Sequence, residues 1–215
     1  MKKIIAIDGP AGAGKSTISK IVATKLGYTY IDTGAMYRAV GWKFSQTGKS
    51  FDENILREIV EKIDIELDDK ARVFVDGEEV TKKIRTPEVS KLASYVSKFS
   101  FVRKKLTELQ RKMAQHGKVI MDGRDIGTEV LPNADLKIFL TASLDERARR
   151  RFAELKEKNA EVNLQEIKQE IFLRDKQDSE REIAPLKQAE DAILLDTSNL
   201  TIDEVSAKIL ELAND

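Results

Sequence analysis

Ile4-Ile5-Ala6-Ile7-Asp8-Gly9-Pro10-Ala11-Gly12-Ala13-Gly14-Lys15-Ser16 is the stretch whose reading decides the fold. Its apolar first half reads as a buried parallel strand closed by glycine. Its second half fits G-x-x-x-x-G-K-[ST], the P-loop, and a helical pattern follows it. A glycine-rich turn lets the backbone wrap a phosphate with successive N–H groups pointing inward, and the helix behind it adds its positive dipole end. Lys15 is expected to reach the β- and γ-phosphates and the Ser16 hydroxyl to ligate Mg²⁺. Gly9, Pro10, Ala11, Gly12, Ala13, Gly14, Lys15, Ser16 and Thr17 are therefore the candidate nucleotide-binding residues. The motif leaves open what receives the phosphate.

Outward from this loop, the rest of the chain sets bounds. A length of 215 residues with 41% hydrophobic content suits one α/β domain with small insertions, spanning 1–215. Lys+Arg and Asp+Glu balance at 37 each. That balance offers no global field for gripping a nucleic-acid backbone, so anions must be held by local basic clusters, and small phosphorylated ligands fit better. Cysteine is absent, which excludes disulfides, thiolate zinc sites and a Cys nucleophile, and fits a reducing compartment. No signal-peptide pattern and no long apolar stretch is present, so a cytoplasmic protein without a membrane partner is expected.

Downstream of the loop, Ile18, Ile21, Val22 and Leu26 share one helical face, and Gly27 supplies the stop. Tyr28 to Ile31 reads as a second strand leading into a helix that opens at Asp32-Thr33-Gly34. Asp52 caps a helix carrying Ile55, Leu56, Ile59, Val60 and Ile63. Between about 64 and 84 the period changes from 3.6 to two, with a turn at Asp76-Gly77, which predicts a small antiparallel β insert. Thr86-Pro87 restarts helix, with Thr86 as N-cap and proline at the first position. Phe99, Val102, Leu106, Leu109 and Met113 lie along another helix ending at Gly117. Val119–Asp122, Leu136–Leu140 and Ala192–Asp196 are further strands alternating with helices. The pattern predicts an α/β fold: a five-stranded parallel sheet flanked by helices, with ligands at the carboxyl ends of its strands.

Chemistry-bearing residues gather at those ends. Asp122 closes a strand where a second acidic group for the Mg²⁺ shell is expected. Gly123-Arg124-Asp125-Ile126-Gly127-Thr128 follows, with glycines that permit close approach of a ligand and an arginine suited to phosphate. Thr33 and Arg38 sit in the first turns of a helix, whose N-terminus attracts anions; the plainer reading is an Asp/Thr cap with a surface arginine. Arg147, Arg149, Arg150 and Arg151 crowd one helix, and Arg174, Asp175, Asp178 and Arg181 lie on the next. Glu154 to Asn163, charged and poor in apolar residues, reads as a mobile connection, placing a short lid at about 152–165. Cations on such a flap would neutralise a transferring phosphoryl group, although a solvated helix face is the commoner origin of a charge run. His116 beside Gly117 suits capping of helix carbonyls. Trp42 and Phe44 read as core.

These motifs in their order resemble the bacterial cytidylate kinases, nucleoside-monophosphate kinases with the P-loop kinase fold. The likeness runs through Ile7-Asp8-Gly9-Pro10, Asp32-Thr33-Gly34-Ala35-Met36-Tyr37-Arg38, Ile84-Arg85-Thr86, Asp122-Gly123-Arg124-Asp125-Ile126-Gly127-Thr128, Glu146-Arg147-Ala148-Arg149-Arg150, Arg174-Asp175, Asp178-Ser179, Arg181 and Ala184-Pro185-Leu186. The resemblance implies transfer of the ATP γ-phosphoryl group to CMP or dCMP, with Mg²⁺. It assigns Thr33, Arg38, Arg124 and Arg181 to the acceptor phosphate, Ser94, Arg103 and Asp125 to the base, and Arg174 and Asp178 to the ribose and lid. Lys15, Arg124, Arg181 and the helix arginine Arg150 would carry the catalytic charge, and Ser16 and Asp122 the metal. A monomer is expected. Asp125 can accept from the exocyclic amine of cytosine, whereas uracil would set a carbonyl against that carboxylate. Two alternatives are a P-loop kinase for another acceptor, such as UMP, dTMP or a small metabolite, and a non-catalytic nucleotide-binding switch. A GTPase switch would carry [NT]-K-x-D and D-x-x-G, and neither occurs.

Overall fold

In a computed structural model of the chain, residues 3–157 and 161–214 are described. The chain begins with β1 (Ile4–Asp8), the P-loop and α1 (Lys15–Leu26), then β2 (Thr29–Asp32), α2 (Thr33–Ser45) and α3 (Glu53–Lys62). The short strands β3 (Ile65–Leu67), β4 (Val73–Val75) and β5 (Glu78–Glu79) precede a 3-10 turn at Lys83–Arg85 and helices α4 (Pro87–Val96) and α5 (Ser100–Ala114). Next come β6 (Val119–Asp122), a π-helical turn (Ile126–Val130), β7 (Leu136–Thr141), α6 (Leu144–Glu157), α7 (Leu164–Glu180), β8 (Ile193–Asp196) and α8 (Ile202–Asn214).

The main sheet has five strands in the order β2-β6-β1-β7-β8, and β1 runs parallel to both β6 and β7. Ile5 and Ile7 are fully buried in β1, Ile120 and Met121 in β6, and Ile138 and Leu140 in β7. A strand covered on both faces needs such a continuous apolar run, which is why these three central strands stand where the sequence predicts them; β8, at the end of the order, is mostly exposed. Because β1 lies between β6 and β7, the strand order reverses beside it, and the P-loop leaves the sheet where a crevice forms in doubly wound folds.

The chain divides into two compact units: residues 1–28 with 118–215, and residues 29–117. In the first, α1 packs on α8, and α6 packs along α7. Ala148, Ile167 and Ile171 form a small apolar cluster there, joined by Leu144, Phe152, Leu155, Val162 and Leu164. This corrects the reading of Glu154–Asn163 as a connection without a core: α6 continues to Glu157, and Leu155 and Val162 are packed. Of the lid expected at 152–165, residues 158–160 lie outside the described residues.

The second unit has its own core, running from Met36, Val40 and Phe44 through Leu56 and Val60 to Ile84, Val96 and Leu106. Trp42 and Phe44 belong to it, as expected. Caps stand where the sequence placed them. Asp52 accepts from the Asn54 and Ile55 amides, and Thr86 accepts from the Val89 amide with Pro87 opening the helix. The insert is an antiparallel sheet, β3-β4-β5, turned by Asp76 and Gly77 with φ of 50° and 81°. His116 is exposed just past α5.

Candidate functional site

The donor half belongs to the first unit. The P-loop requires its glycines in two ways. Gly9 has φ 147°, and a Cβ there would lie 1.9 Å from the Leu140 carbonyl oxygen; Gly14, at φ 87°, is the left-handed residue that caps α1. Lys15 is buried, and its Nζ donates to the Gly9 carbonyl at 2.7 Å and the Pro10 carbonyl at 2.8 Å. Burial lowers its pKa well below the ordinary lysine value, and Arg124 adds to the effect, against opposing pulls from Asp122 and Asp8. Ser16 and Thr17 are exposed. The Ser16 hydroxyl donates to Asp122 Oδ2 at 2.8 Å, so a P-loop residue meets the end of β6.

Two residues from α6 and α7 hold this loop, a task their place in the charge run does not single out. Asp175 accepts from the Ala11 amide at 3.1 Å, and Arg147 Nη1 donates to the Ala11 carbonyl at 2.9 Å while also pairing with Asp175. One ion pair therefore grips Ala11 by both its backbone groups. Arg147 was legible only as part of a charge run; its burial and its helix-spanning partner are tertiary facts. The other members of the run differ in environment. Arg149 and Arg151 make exposed pairs with Glu146 and Glu154, which is the solvated-face reading. Arg150 donates to Glu146 at 3.0 Å and to the Thr197 hydroxyl and carbonyl at 3.0 and 2.6 Å, beside Gly14.

Past Asp122, the loop predicted from Gly123 to Thr128 assembles a charge network in the same unit. Arg124 Nε donates to Asp178 at 2.9 Å, and Arg181 pairs with Asp125 at 3.3 Å and with Asp178 at 3.9 Å. Asp178 and Asp125 are buried. Burial would push the Asp178 carboxyl up, but Arg124, Arg174 and Arg181 outweigh it and hold the pKa below the usual value. Burial likewise works against the Arg124 cation, and Asp178 overcomes it. Asp8, at the end of β1, accepts from the Ile126 amide at 2.8 Å and the Gly127 amide at 2.7 Å. Its pKa is raised to about 6 by burial, in spite of those two hydrogen bonds.

The remaining expected residues lie in the second unit. Asp32 caps α2 through the Ala35 amide at 2.8 Å and holds Arg38 at 2.9 Å, with Arg85 at 3.7 Å. Thr33 is buried beside it at the first helical position, and Arg38 keeps only 17% of its side-chain surface exposed, so it is not the surface arginine of the plainer reading. Arg103 is buried, donates to the Ser97 carbonyl at 3.3 Å and stacks 5.5 Å from the Tyr37 ring centroid. The Ser97 hydroxyl in turn donates to the Ser94 carbonyl, so Ser94 and Arg103 share one neighbourhood at the α4–α5 junction.

A family model described as cytidylate kinase matches residues 5–215. The cytidylate kinase of Caldicellulosiruptor bescii is 57% identical over 99% of this chain and 96% of its own length. That of Bacillus subtilis is 52% identical over 98% and 96%. Among solved structures, shikimate kinase from Bacteroides thetaiotaomicron aligns over 100% of both chains with a TM-score of 0.53 at 15% identity. Shikimate kinase from Acinetobacter baumannii, in complex with shikimate, aligns over 99% of this chain and 93% of its own at a TM-score of 0.51 and 17% identity. At such identity these two structures bear on the fold alone.

Proposed function

The chain belongs to the cytidylate kinase family, and on that premise we propose that it transfers the γ-phosphoryl group of ATP to CMP or dCMP, giving ADP and CDP or dCDP. The observation that carries the reading is the donor half itself: Lys15, Ser16 and Asp122 gathered at the P-loop, with Arg124 and Asp125 immediately downstream.

An acceptor phosphate is already anionic at neutral pH, so the reaction needs no strong general base. The protein's work is to align the acceptor oxygen with the γ-phosphorus and to neutralise charge. Lys15 leaves the Gly9 and Pro10 carbonyls for the nucleotide phosphates. Arg124 and Arg181 sit in a network of carboxylates, where an incoming phosphate offers a bidentate, charge-assisted partner. Thr33 and Arg38 serve that phosphate from the N-terminal turns of α2. Ser94, Arg103 and Asp125 read the base, Asp125 accepting from the cytosine amine. Arg174 and Asp178 face the ribose, and Arg150 neutralises donor phosphates from beside Gly14.

Ser16 Oγ and Asp122 Oδ2 are two hard oxygen donors side by side, the kind of set that Mg²⁺ takes together with water and phosphate oxygens. When bound there, the ion would supply charge neutralisation to the β- and γ-phosphates.

The whole chain forms one nucleoside-monophosphate kinase domain in this reading. Residues 64–84 are its insert, and a lid around 152–165, carried on α6 and α7, closes over the nucleotide and excludes water. No helix among the described residues is long and apolar enough to cross a membrane. A monomeric cytoplasmic enzyme without nucleic-acid partners completes the proposal.

The test is a coupled assay of ADP formation across CMP, dCMP, UMP, AMP and dTMP. Preference for the cytidine pair is expected. A strong preference for any other acceptor would overturn the assignment.

A further inference from the structure

Asp8 is buried at the carboxyl end of β1, immediately before Gly9, and no step of the proposed reaction uses it. Both its oxygens are engaged by one distant segment: Oδ1 by the Ile126 amide at 2.8 Å and Oδ2 by the Gly127 amide at 2.7 Å. These amides open the π-helical turn Ile126–Val130. The first N–H groups of a helical turn have no partner within it, so Asp8 supplies from another strand the cap that the turn lacks. Asp125, directly before the turn, has no side-chain cap bond to it and is instead paired with Arg181.

The contact leaves little room to shift. A Cβ on Gly127 would meet Lys137 Cδ at 3.1 Å and Asp8 Oδ2 at 3.4 Å, so the glycine lets the amide settle between carboxylate and lysine stem. The opposite sides are fixed as well. β1 is locked in register between β6 and β7, and Lys137 on β7 is held by Asp191 at 2.8 Å. One carboxylate thus joins the strand that delivers the donor loop to the loop that carries Arg124 and Asp125.

We propose that Asp8 is a positioning residue for the acceptor: by capping the Ile126 and Gly127 amides it sets where Arg124 and Asp125 stand relative to the P-loop. This rests on the reading of Arg124 and Asp125 as acceptor-binding groups. It also accounts for a carboxylate kept charged in a place that disfavours charge, since only the ionised form accepts from both amides without offering a competing proton.

The test is Asp8→Asn, a near-isosteric change whose amide nitrogen confronts one of the two N–H groups. In steady-state kinetics the KM for CMP is expected to rise about 10- to 100-fold, the effect of one unsatisfied buried donor, while the KM for ATP moves less than about twofold. A merely structural role would lower the active fraction, and so kcat, leaving both KM values in place. Asp8→Glu, with its longer stem, should restore part of the CMP affinity. Backbone amide exchange at Ile126 and Gly127 should accelerate in Asp8→Asn; that measurement needs no substrate, so it judges the cap even if the wild-type enzyme rejects CMP. Should Asp8→Asn fail to fold, Gly127→Ala, which presses on the same carboxylate, must show the same split between the two KM values. An unchanged KM for CMP together with unchanged exchange at these amides, or for Gly127→Ala an unchanged KM for CMP, would overturn the proposal.

Discussion

Replacing Lys15 with methionine should abolish most turnover while leaving the protein nearly as stable as before. The residue is 7% exposed, and its ammonium makes two short bonds, to Gly9 and Pro10 carbonyls at 2.7 and 2.8 Å. Charge-assisted hydrogen bonds are worth about 1.5–3 kcal/mol each. Against them stands the desolvation of a buried ammonium, about several kcal/mol per ion. The two nearly cancel, so the melting temperature should move by no more than about 5 °C in a chain of this size. Catalysis has no such cancellation. A preorganised donor aimed at developing charge contributes about 10²–10³ in kcat, and that factor is lost with the ammonium.

A pH signature separates the two effects. The pKa of Lys15 is lowered in the native state, so the unfolded chain holds its proton more readily. Native stability should therefore rise with pH from the lowered value up to the unfolded value of 10.5, and in Lys15→Met that contribution disappears. The assays are thermal melts at neutral and alkaline pH and coupled ADP formation at saturating ATP and CMP. Turnover within about tenfold of wild type would refute the P-loop role, since one such donor is worth more. A fall in melting temperature beyond about 15 °C, about 4–7 kcal/mol in a chain of this size, would refute the claimed cancellation.

Gly9→Ala should be among the most damaging single substitutions, because its Cβ would meet the Leu140 carbonyl at 1.9 Å in a backbone region closed to alanine. A loss of about 3–5 kcal/mol in urea unfolding is expected, and a midpoint equal to wild type would contradict the geometry. Asp125→Asn should narrow the ratio of kcat/KM between CMP and UMP by about tenfold or more, because the amide can donate to the uracil carbonyl; a constant ratio would remove Asp125 from base reading. Asp8 and Asp178 should push stability in opposite directions on acidification. Asp8, raised to about 6, takes up its proton first and relieves a burial cost of about 3 kcal/mol as pH falls from 7 towards 4. Asp178, held low, contributes stability above the unfolded value of 3.8 that is lost only as pH falls below it. Melts of wild type and Asp8→Asn from pH 7 to 3 check both: the wild-type advantage must grow towards pH 4, and an advantage that shrinks there would contradict the buried carboxylate.

Reading outward from the P-loop recovered the main sheet because each central strand is a short apolar run between glycine and polar turns, a local signal. The caps at Asp52 and Thr86 were legible for the same reason, since a cap and its acceptors lie within a few residues. Roles decided across the chain were not legible. Asp8 reaches Ile126 and Gly127, and Arg147 reaches Ala11 and Asp175, over separations that no periodicity records. The segment near 154–163 misled because its charged residues mask Leu155 and Val162, too few to mark a helix face yet enough to join the cluster around Ala148. Arg38 shows a gap of another kind: i to i+6 spacing from Asp32 does not announce a contact, which arises because one residue caps the helix that carries the other.

The order of strands has a consequence in time. β1 is made before the strands it pairs with, which begin at Val119 and Leu136. At typical rates of synthesis it waits about ten seconds for them. Residues 29–117 are continuous and hold a core of their own, so that unit can close while β1 is still a bare edge. Until those strands are made, the apolar run of β1 has neither of the neighbours that cover its edges. The charged residues Lys2 and Lys3 ahead of Ile4 stand where a gatekeeper against premature strand pairing would be placed.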